Sequence, residues 1–238
     1  MKTGGALSDM IAGTYSALGI LAALRERETS GLGQAIDVSM VDCLFSMMMD
    51  EPVDRLDALG LAARQGNRIV RFSPFNAYAA KDGWITLGCV TRDDWHALLA
   101  AMGREDLGKH PDWSRVEWRI RNNAEVDRLV GEWAARYTAK EAIAKLREAD
   151  VPCGAVRTAR EAIQWAQLEA RGMVQPLRRP DGAPAGVAAS GMPIKFSRSA
   201  SHHDEPAPVP GEDTAELLQR MLGLGTDEIA RLKADGIA

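Results

Sequence analysis

Between Met10 and Leu24 the chain carries no charged residue. Bulky apolar side chains recur at Ile11, Tyr15, Leu18 and Leu21 or Ala22, close to a 3.6-residue period, which predicts a helix. Ala, Leu and Ile fill most remaining positions, so apolar surface wraps much of its circumference and a helix of this kind is built for burial. Arg25-Glu26-Arg27-Glu28 places two cations near its negative C-terminal end. Ser30-Gly31-Leu32-Gly33 then breaks it.

Asp9 falls where this helix begins, and two readings apply. As an N-cap, its carboxylate accepts a hydrogen bond from a free backbone N–H. Alternatively, the positive end of the helix stabilises a carboxylate that serves as a nucleophile in covalent catalysis. Beyond the helix, residues 33–42 read as a short strand leading into a second helix over 39–60, rich in Met and Leu. The Met47-Met48-Met49 run reads as core filler, because thioether side chains adapt to irregular gaps.

The ordered string Asp9, Gly19-Ile20-Leu21-Ala22-Ala23-Leu24, Arg27, Gly31, Gly33-Gln34 and Ile36-Asp37-Val38-Ser39-Met40 resembles family III CoA-transferases, the formyl-CoA and carnitine CoA-transferase type. The resemblance continues through Val151-Pro152-Cys153-Gly154-Ala155-Val156, Gly191-Met192-Pro193-Ile194 and Gly211-Glu212-Asp213-Thr214, where Asp213 replaces the family's His. It implies an α/β fold: the C-terminal part of a Rossmann-like large domain plus a small α+β domain, in an interlocked homodimer. Residues 1–66 then form a large-domain segment with linker, 67–175 the small domain, and 176–238 a return segment. It implies that Asp9 attacks an acyl-CoA to form a mixed anhydride, that the thiolate converts this to an aspartyl-CoA thioester, and that an acceptor carboxylate completes the exchange.

The implied partners are an acyl-CoA and a small carboxylic acid, with coenzyme A thioester as substrate rather than a permanently bound cofactor. In the resembled family, most of the Rossmann-like CoA-binding part precedes the residues matched here. The main CoA-binding residues are therefore unknown from this sequence. A truncated chain, a complementary N-terminal polypeptide and a non-catalytic partner subunit all stand beside the active enzyme as expectations. An acyl-CoA racemase or isomerase is a further alternative, weakened because Asn76 stands where that branch carries a Glu, and an amide does not exchange protons near neutral pH. A single Gly66 before Asn67-Arg68, in place of a glycine run, argues against formyl and oxalyl specificity.

Composition narrows the class. Of 238 residues, 46% are hydrophobic and 26% charged, the profile of a soluble globular chain. A net charge of −4 gives no global attraction for nucleic acid or an anionic membrane. Cys43, Cys89 and Cys153 lie far apart without zinc spacing, so no metal is expected and a reducing, cytoplasmic location is. No signal peptide is recognised, and no apolar run of transmembrane length.

Along the rest of the chain, Asn76–Ala80 and Trp84–Val90 read as strands joined by Lys81-Asp82-Gly83, with Gly83 free to take positive φ. Thr91 caps a helix that continues to Gly103. Arg119 to Tyr137 reads as one amphipathic helix whose charges form a solvated face. Thr138 and Glu141 form a capping box, with Ile143, Leu146 and Ala149 buried behind it. Cys153 reads as structural and His96 as a partly exposed helix residue. A helix over 159–170, a strand turning at Arg179-Pro180-Asp181-Gly182, and two terminal helices over 215–222 and 226–234 complete the pattern.

Overall fold

The computed structural model describes residues 4–49, 64–200 and 208–237, with Leu56, Ala58, Gly60, Ala62 and Pro206 between them. It divides into two compact units, residues 1–156 and 157–238.

The first unit begins with α1 (Leu7–Ser30), followed by α2 (Met40–Met48). Gly31 ends α1 at φ 74°, and its N–H donates to the Arg27 carbonyl. This is the left-handed stop that glycine adopts without a Cβ penalty. Ser39 caps α2 by accepting from the Asp42 N–H. The two helices lie against each other, with Tyr15 and Ser46 hydroxyls 3.2 Å apart. Residues 31–39 run in irregular conformation, not as the expected strand. A strand needs a hydrogen-bonded neighbour, and among the described residues none lies beside this segment; instead the Ile36 side chain reaches across to Gly19.

A helix pair covers only one side of each member. Ala12 is accordingly the one buried residue of α1 among those described, while Met10 remains 70% exposed and Leu21 66%. Met47, Met48 and Met49 are likewise exposed, contrary to the core-filler expectation. The α1 helix is also long and apolar enough to cross a membrane by length and composition, which corrects the expectation that no such run exists. The second helix stops at Met48; most of residues 50–60, assigned to it from sequence, lie outside the described residues.

The remainder of this unit is an α+β body. Antiparallel β1 (Phe75–Ala79), β2 (Trp84–Gly88) and β3 (Cys153–Ala155) form one sheet in that order. In the turn, the Ala80 N–H donates to the Gly83 carbonyl at 2.8 Å. Gly83 does not adopt positive φ, because the four-residue connection closes without a left-handed position. Helices α3 (Arg92–Met102), α4 (Val116–Arg121), α5 (Asn123–Ala134) and α6 (Ala139–Glu148) complete the body, with a 3-10 turn at Glu105–Lys109. Thr91 and Thr138 each close a full capping box, with Asp94 and Glu141 respectively.

Strand side chains alternate between faces. Tyr78, Ile85 and Leu87 point into a core shared with Trp95, Leu98 and Leu99 of α3, Val126, Val130 and Trp133 of α5, and Leu146 of α6. The single helix expected from Arg119 to Tyr137 is two helices broken at Asn122. The Asn122 side-chain amide donates to the Trp118 carbonyl at 2.8 Å, competing with the helical ladder. The break lets Arg119 turn inward. It is 3% exposed, its Nε donates to the Ser73 carbonyl at 2.8 Å, and its Nη1 donates to the Trp113 carbonyl at 2.9 Å. Its guanidinium carbon lies 4.6 Å from the centre of the Trp95 ring. Arg119 is therefore a structural cation, not part of a solvated face.

The second unit contains α7 (Ala159–Ile163) and α8 (Ala166–Ala170), a hairpin of β4 (Val174–Arg178) and β5 (Pro184–Ser190), and α9 (Thr214–Leu222) and α10 (Thr226–Ala234). The helix expected over 159–170 is interrupted at Gln164-Trp165. There Trp165 leaves helical geometry and its ring takes the Arg157 guanidinium at 4.0 Å.

Candidate active site

Asp9 is the third residue of α1, in its first turn, and exposed. The N-cap position belongs to Ala6, which has no side-chain cap, so the capping reading of Asp9 is corrected. The Asp9 carboxylate accepts from the Ser8 hydroxyl at 3.1 Å. It belongs to the first turn of α1, where backbone N–H groups lack helical partners.

A second feature lies on the small sheet. A cleft of about 560 Å³ opens on the face turned away from the core. The pairing Ala77↔Thr86 and Thr86↔Gly154 sets its floor with small side chains. Its walls are Phe75, Trp84 and Val156, and the Val156 N–H donates to the Trp84 carbonyl at 3.0 Å. Gly88 lies opposite Phe75 in register, and a Cβ there would collide with the Phe75 ring; glycine lets that ring lie down on the strand. Asn67 and Asn76 line the rim.

Asn76 is held from behind by a network that sequence reasoning missed. Asp127 of α5 accepts from Arg68 Nε at 2.6 Å, Asn76 Nδ2 at 2.9 Å and the Tyr78 hydroxyl at 2.7 Å. The Asn76 carbonyl oxygen accepts from the Ala77 N–H at 2.8 Å. These contacts fix the amide's orientation, with NH₂ toward the carboxylate and oxygen toward the backbone donor. Burial first, and the neighbouring Asp127 carboxylate second, push the Tyr78 phenol above its usual range, so it stays a donor. The partners lie 59, 51 and 49 residues from Asp127 in sequence, which no local pattern links.

Other chemistry-bearing residues have local surroundings of their own. Cys89 is buried and its thiol is pushed up to about 12, chiefly by desolvation. Cys153 contacts the Ile143 carbonyl, and burial raises its pKa too. Neither is an activated thiolate. His96 is half-buried on α3 and accepts weakly from Arg92. Asp213 is the N-cap residue of α9 without a side-chain cap bond. Among the described residues, no group of three His, Cys, Asp or Glu could hold a metal ion.

Comparison with known proteins gives these features a context. The chain is 28% identical over 235 residues to succinyl-CoA–D-citramalate CoA-transferase of Chloroflexus aurantiacus, covering 98% of this chain and 58% of that protein. It is 28% identical over 254 residues to formyl-CoA:oxalate CoA-transferase of Streptomyces avermitilis, covering 100% and 61%. The chain thus spans less than two thirds of the length of either relative. A crystal structure of a CaiB/BaiF family protein from Brucella suis superposes with a TM-score of 0.70 at 26% identity, over 92% of this chain and 56% of that one. The arrangement of mixed helices and strands is therefore that of the CaiB/BaiF fold. The profile of CoA-transferase family III matches residues 1–214, most of the sequence, and the chain belongs to that family.

Proposed function

We propose that this chain carries the nucleophile and the small domain of an enzyme that moves coenzyme A between an acyl-CoA and a carboxylic acid. The observation that carries the reading is family membership along residues 1–214 with Asp9 in the first turn of α1. In the proposed sequence, an Asp9 carboxylate oxygen attacks the thioester carbonyl. The C–S bond breaks, CoA leaves as thiolate, and an aspartyl–acyl anhydride remains. The thiolate then attacks the Asp9 carbonyl, releasing the first acid as carboxylate and leaving an aspartyl-CoA thioester. An acceptor carboxylate repeats the two steps in reverse. Every step exchanges one carboxylate or thiolate leaving group for another, so no oxidant or external base is required. Donors aimed at the developing oxyanions would supply the remaining stabilisation.

On this reading residues 1–66 belong to a large domain, 67–175 to a small domain and 176–238 to a return segment. The α1 helix is a core helix of a cytoplasmic homodimer rather than a membrane span, its apolar sides covered by parts of the family fold that this chain does not match. CoA would bind mainly through those parts. The isomerase reading is disfavoured because Asn76 is a fixed amide bonded to Asp127 and Ala77, not a proton carrier. One observation favours a second reading, a non-catalytic partner subunit: the chain is also 27% identical over 230 residues to the alpha subunit of succinyl-CoA–L-malate CoA-transferase of Chloroflexus aurantiacus.

Intact-mass analysis after incubation with a panel of acyl-CoAs separates these readings. A CoA or acyl adduct present on the wild-type chain and absent from Asp9→Ala supports the nucleophile. An adduct retained by Asp9→Ala refutes it. No adduct on either, with or without a relative's N-terminal portion added in trans, favours the non-catalytic subunit.

A further inference from the structure

The two oxygens of the Asp9 carboxylate have different surroundings. Oδ2 accepts from the Ser8 hydroxyl at 3.1 Å, whereas among the described residues Oδ1 has no hydrogen-bond partner. Asp9 is exposed and Ser8 is half-buried. Ser8 reaches its neighbour because of where it stands in α1. A serine or threonine inside a helix ordinarily turns its hydroxyl back to the carbonyl four residues earlier. Thr14 does so, donating to the Met10 carbonyl at 2.9 Å. Because α1 begins at Leu7, no helical carbonyl lies four residues before Ser8. Nor does Ser8 cap the helix: the N-cap is Ala6, without a side-chain cap bond. Its hydroxyl is left to the carboxylate beside it.

The transferase chemistry uses those two oxygens unequally. When Oδ1 attacks an acyl-CoA, the displaced electron pair collects on the acyl oxygen, and Oδ2 loses charge. When the thiolate then attacks Cγ of the anhydride, a C–S bond forms and the Cγ=Oδ2 π pair moves onto Oδ2. Collapse of this intermediate returns the pair and breaks the Cγ–Oδ1 bond, so the first acid leaves as carboxylate carrying Oδ1. Attack of the acceptor carboxylate on the aspartyl-CoA thioester charges Oδ2 again. A donor aimed at the atom where charge develops lowers the barrier of these Cγ-centred steps alone. We propose that Ser8 is a catalytic residue: its hydroxyl is the oxyanion donor for the tetrahedral intermediates centred on Asp9 Cγ, and the open oxygen, Oδ1, is the attacking atom. The proposal rests on the transferase reading for the covalent steps and on the Ser8–Asp9 bond for the division of roles. Ser8 keeps its proton throughout, because it donates a hydrogen bond and transfers nothing.

The test separates the two covalent states. Acetyl-CoA, isobutyryl-CoA and succinyl-CoA are each mixed with the full chain, supplied with a relative's N-terminal portion, and quenched in acid at successive times. Intact mass distinguishes the acyl adduct from the heavier CoA adduct. In Ser8→Ala the CoA adduct is expected to form about tenfold more slowly, while the acyl adduct forms as fast as in the wild type and accumulates. Ser8→Thr keeps the hydroxyl and is expected to restore the CoA adduct. Equal rates of CoA-adduct formation in wild type and Ser8→Ala overturn the role of Ser8 and leave the transferase. Equal slowing of both adducts marks a merely structural effect and also overturns it, as does a Ser8→Thr chain no faster than Ser8→Ala. No adduct on the wild-type chain with any of the three donors overturns the transferase reading, and the role of Ser8 falls with it.

Discussion

Replacing Asp127 by Ala removes the acceptor for three donors at once. Tyr78 is 4% exposed, so its hydroxyl would be stranded away from water. A buried donor left without a partner costs about 1–3 kcal/mol. Asn76 is half-buried and would lose one bond, with partial compensation from water in the cleft, about 0.5–1.5 kcal/mol. The Arg68 pair contributes less than its short distance suggests. The Arg68 side chain is 32% exposed and that of Asp127 12%, and solvent screening reduces such a pair to about 1 kcal/mol or below. The expected loss is therefore about 3 kcal/mol. Urea unfolding followed by tryptophan fluorescence measures it through the midpoint shift at constant slope. Tyr78→Phe should cost about 1 kcal/mol alone but recover about 1 kcal/mol or more in the Asp127→Ala background, because it removes the hydroxyl stranded there. A loss below about 0.5 kcal/mol for Asp127→Ala, or full additivity of the two changes, would refute the account of Asp127 as a shared acceptor.

Two further predictions concern pH and packing. Cys89 is raised to about 12 and Tyr78 is raised as well, both chiefly by burial. Unfolded Cys and Tyr ionise near about 8.5 and 10, so the stability these groups contribute is fully present below about pH 8.5 and is lost as pH rises toward the folded values. The urea midpoint is expected to fall steadily from about pH 9 upward, with Tyr78→Phe removing the part above about pH 10; a midpoint flat to pH 11 is inconsistent with both groups being buried. Gly88→Ala places a Cβ against the Phe75 ring and is expected to cost about 1–3 kcal/mol. Gly83→Ala, with open space around it and ordinary φ, stays within about 0.5 kcal/mol in the same assay, and equal effects at the two positions would refute the packing argument.

Local signals in the sequence located most elements of the small body. The alternation from Asn76 to Val90, the Thr91 and Thr138 caps, and the glycines after α1 and α3 act within a few residues, so their effects are readable without a partner. Long-range effects were not. Nothing beside Asp127 announces Arg68, Asn76 and Tyr78, which come from an earlier loop and strand. The inward turn of Arg119 depends on a break made by the Asn122 side chain, whereas periodicity alone favours an unbroken helix. The Met47-Met48-Met49 run is apolar enough for a core, yet burial is a property of neighbours, and among the described residues these three side chains stay exposed. Asp9 was legible as a residue at the start of a helix. Its position inside the first turn, not at the cap, follows from the helix starting at Leu7, three residues earlier than a cap at Asp9 would place it.

The main buried cluster lies wholly between Tyr78 and Val151, and this distributes resistance to opening unevenly along the chain. Backbone amides of β1, β2, α3, α5 and α6 share one cooperative unit, and they open together only when that cluster dissolves. Among the described residues, the amides of α1 and α2 are guarded by little more than each other, and in the chain by itself they are expected to exchange with solvent through much cheaper local openings. Heat or denaturant therefore meets a chain with at least two stability levels, in which the segment bearing Asp9 loosens first and the sheet carrying the cleft persists. A single melting temperature describes the second level and is silent about the first.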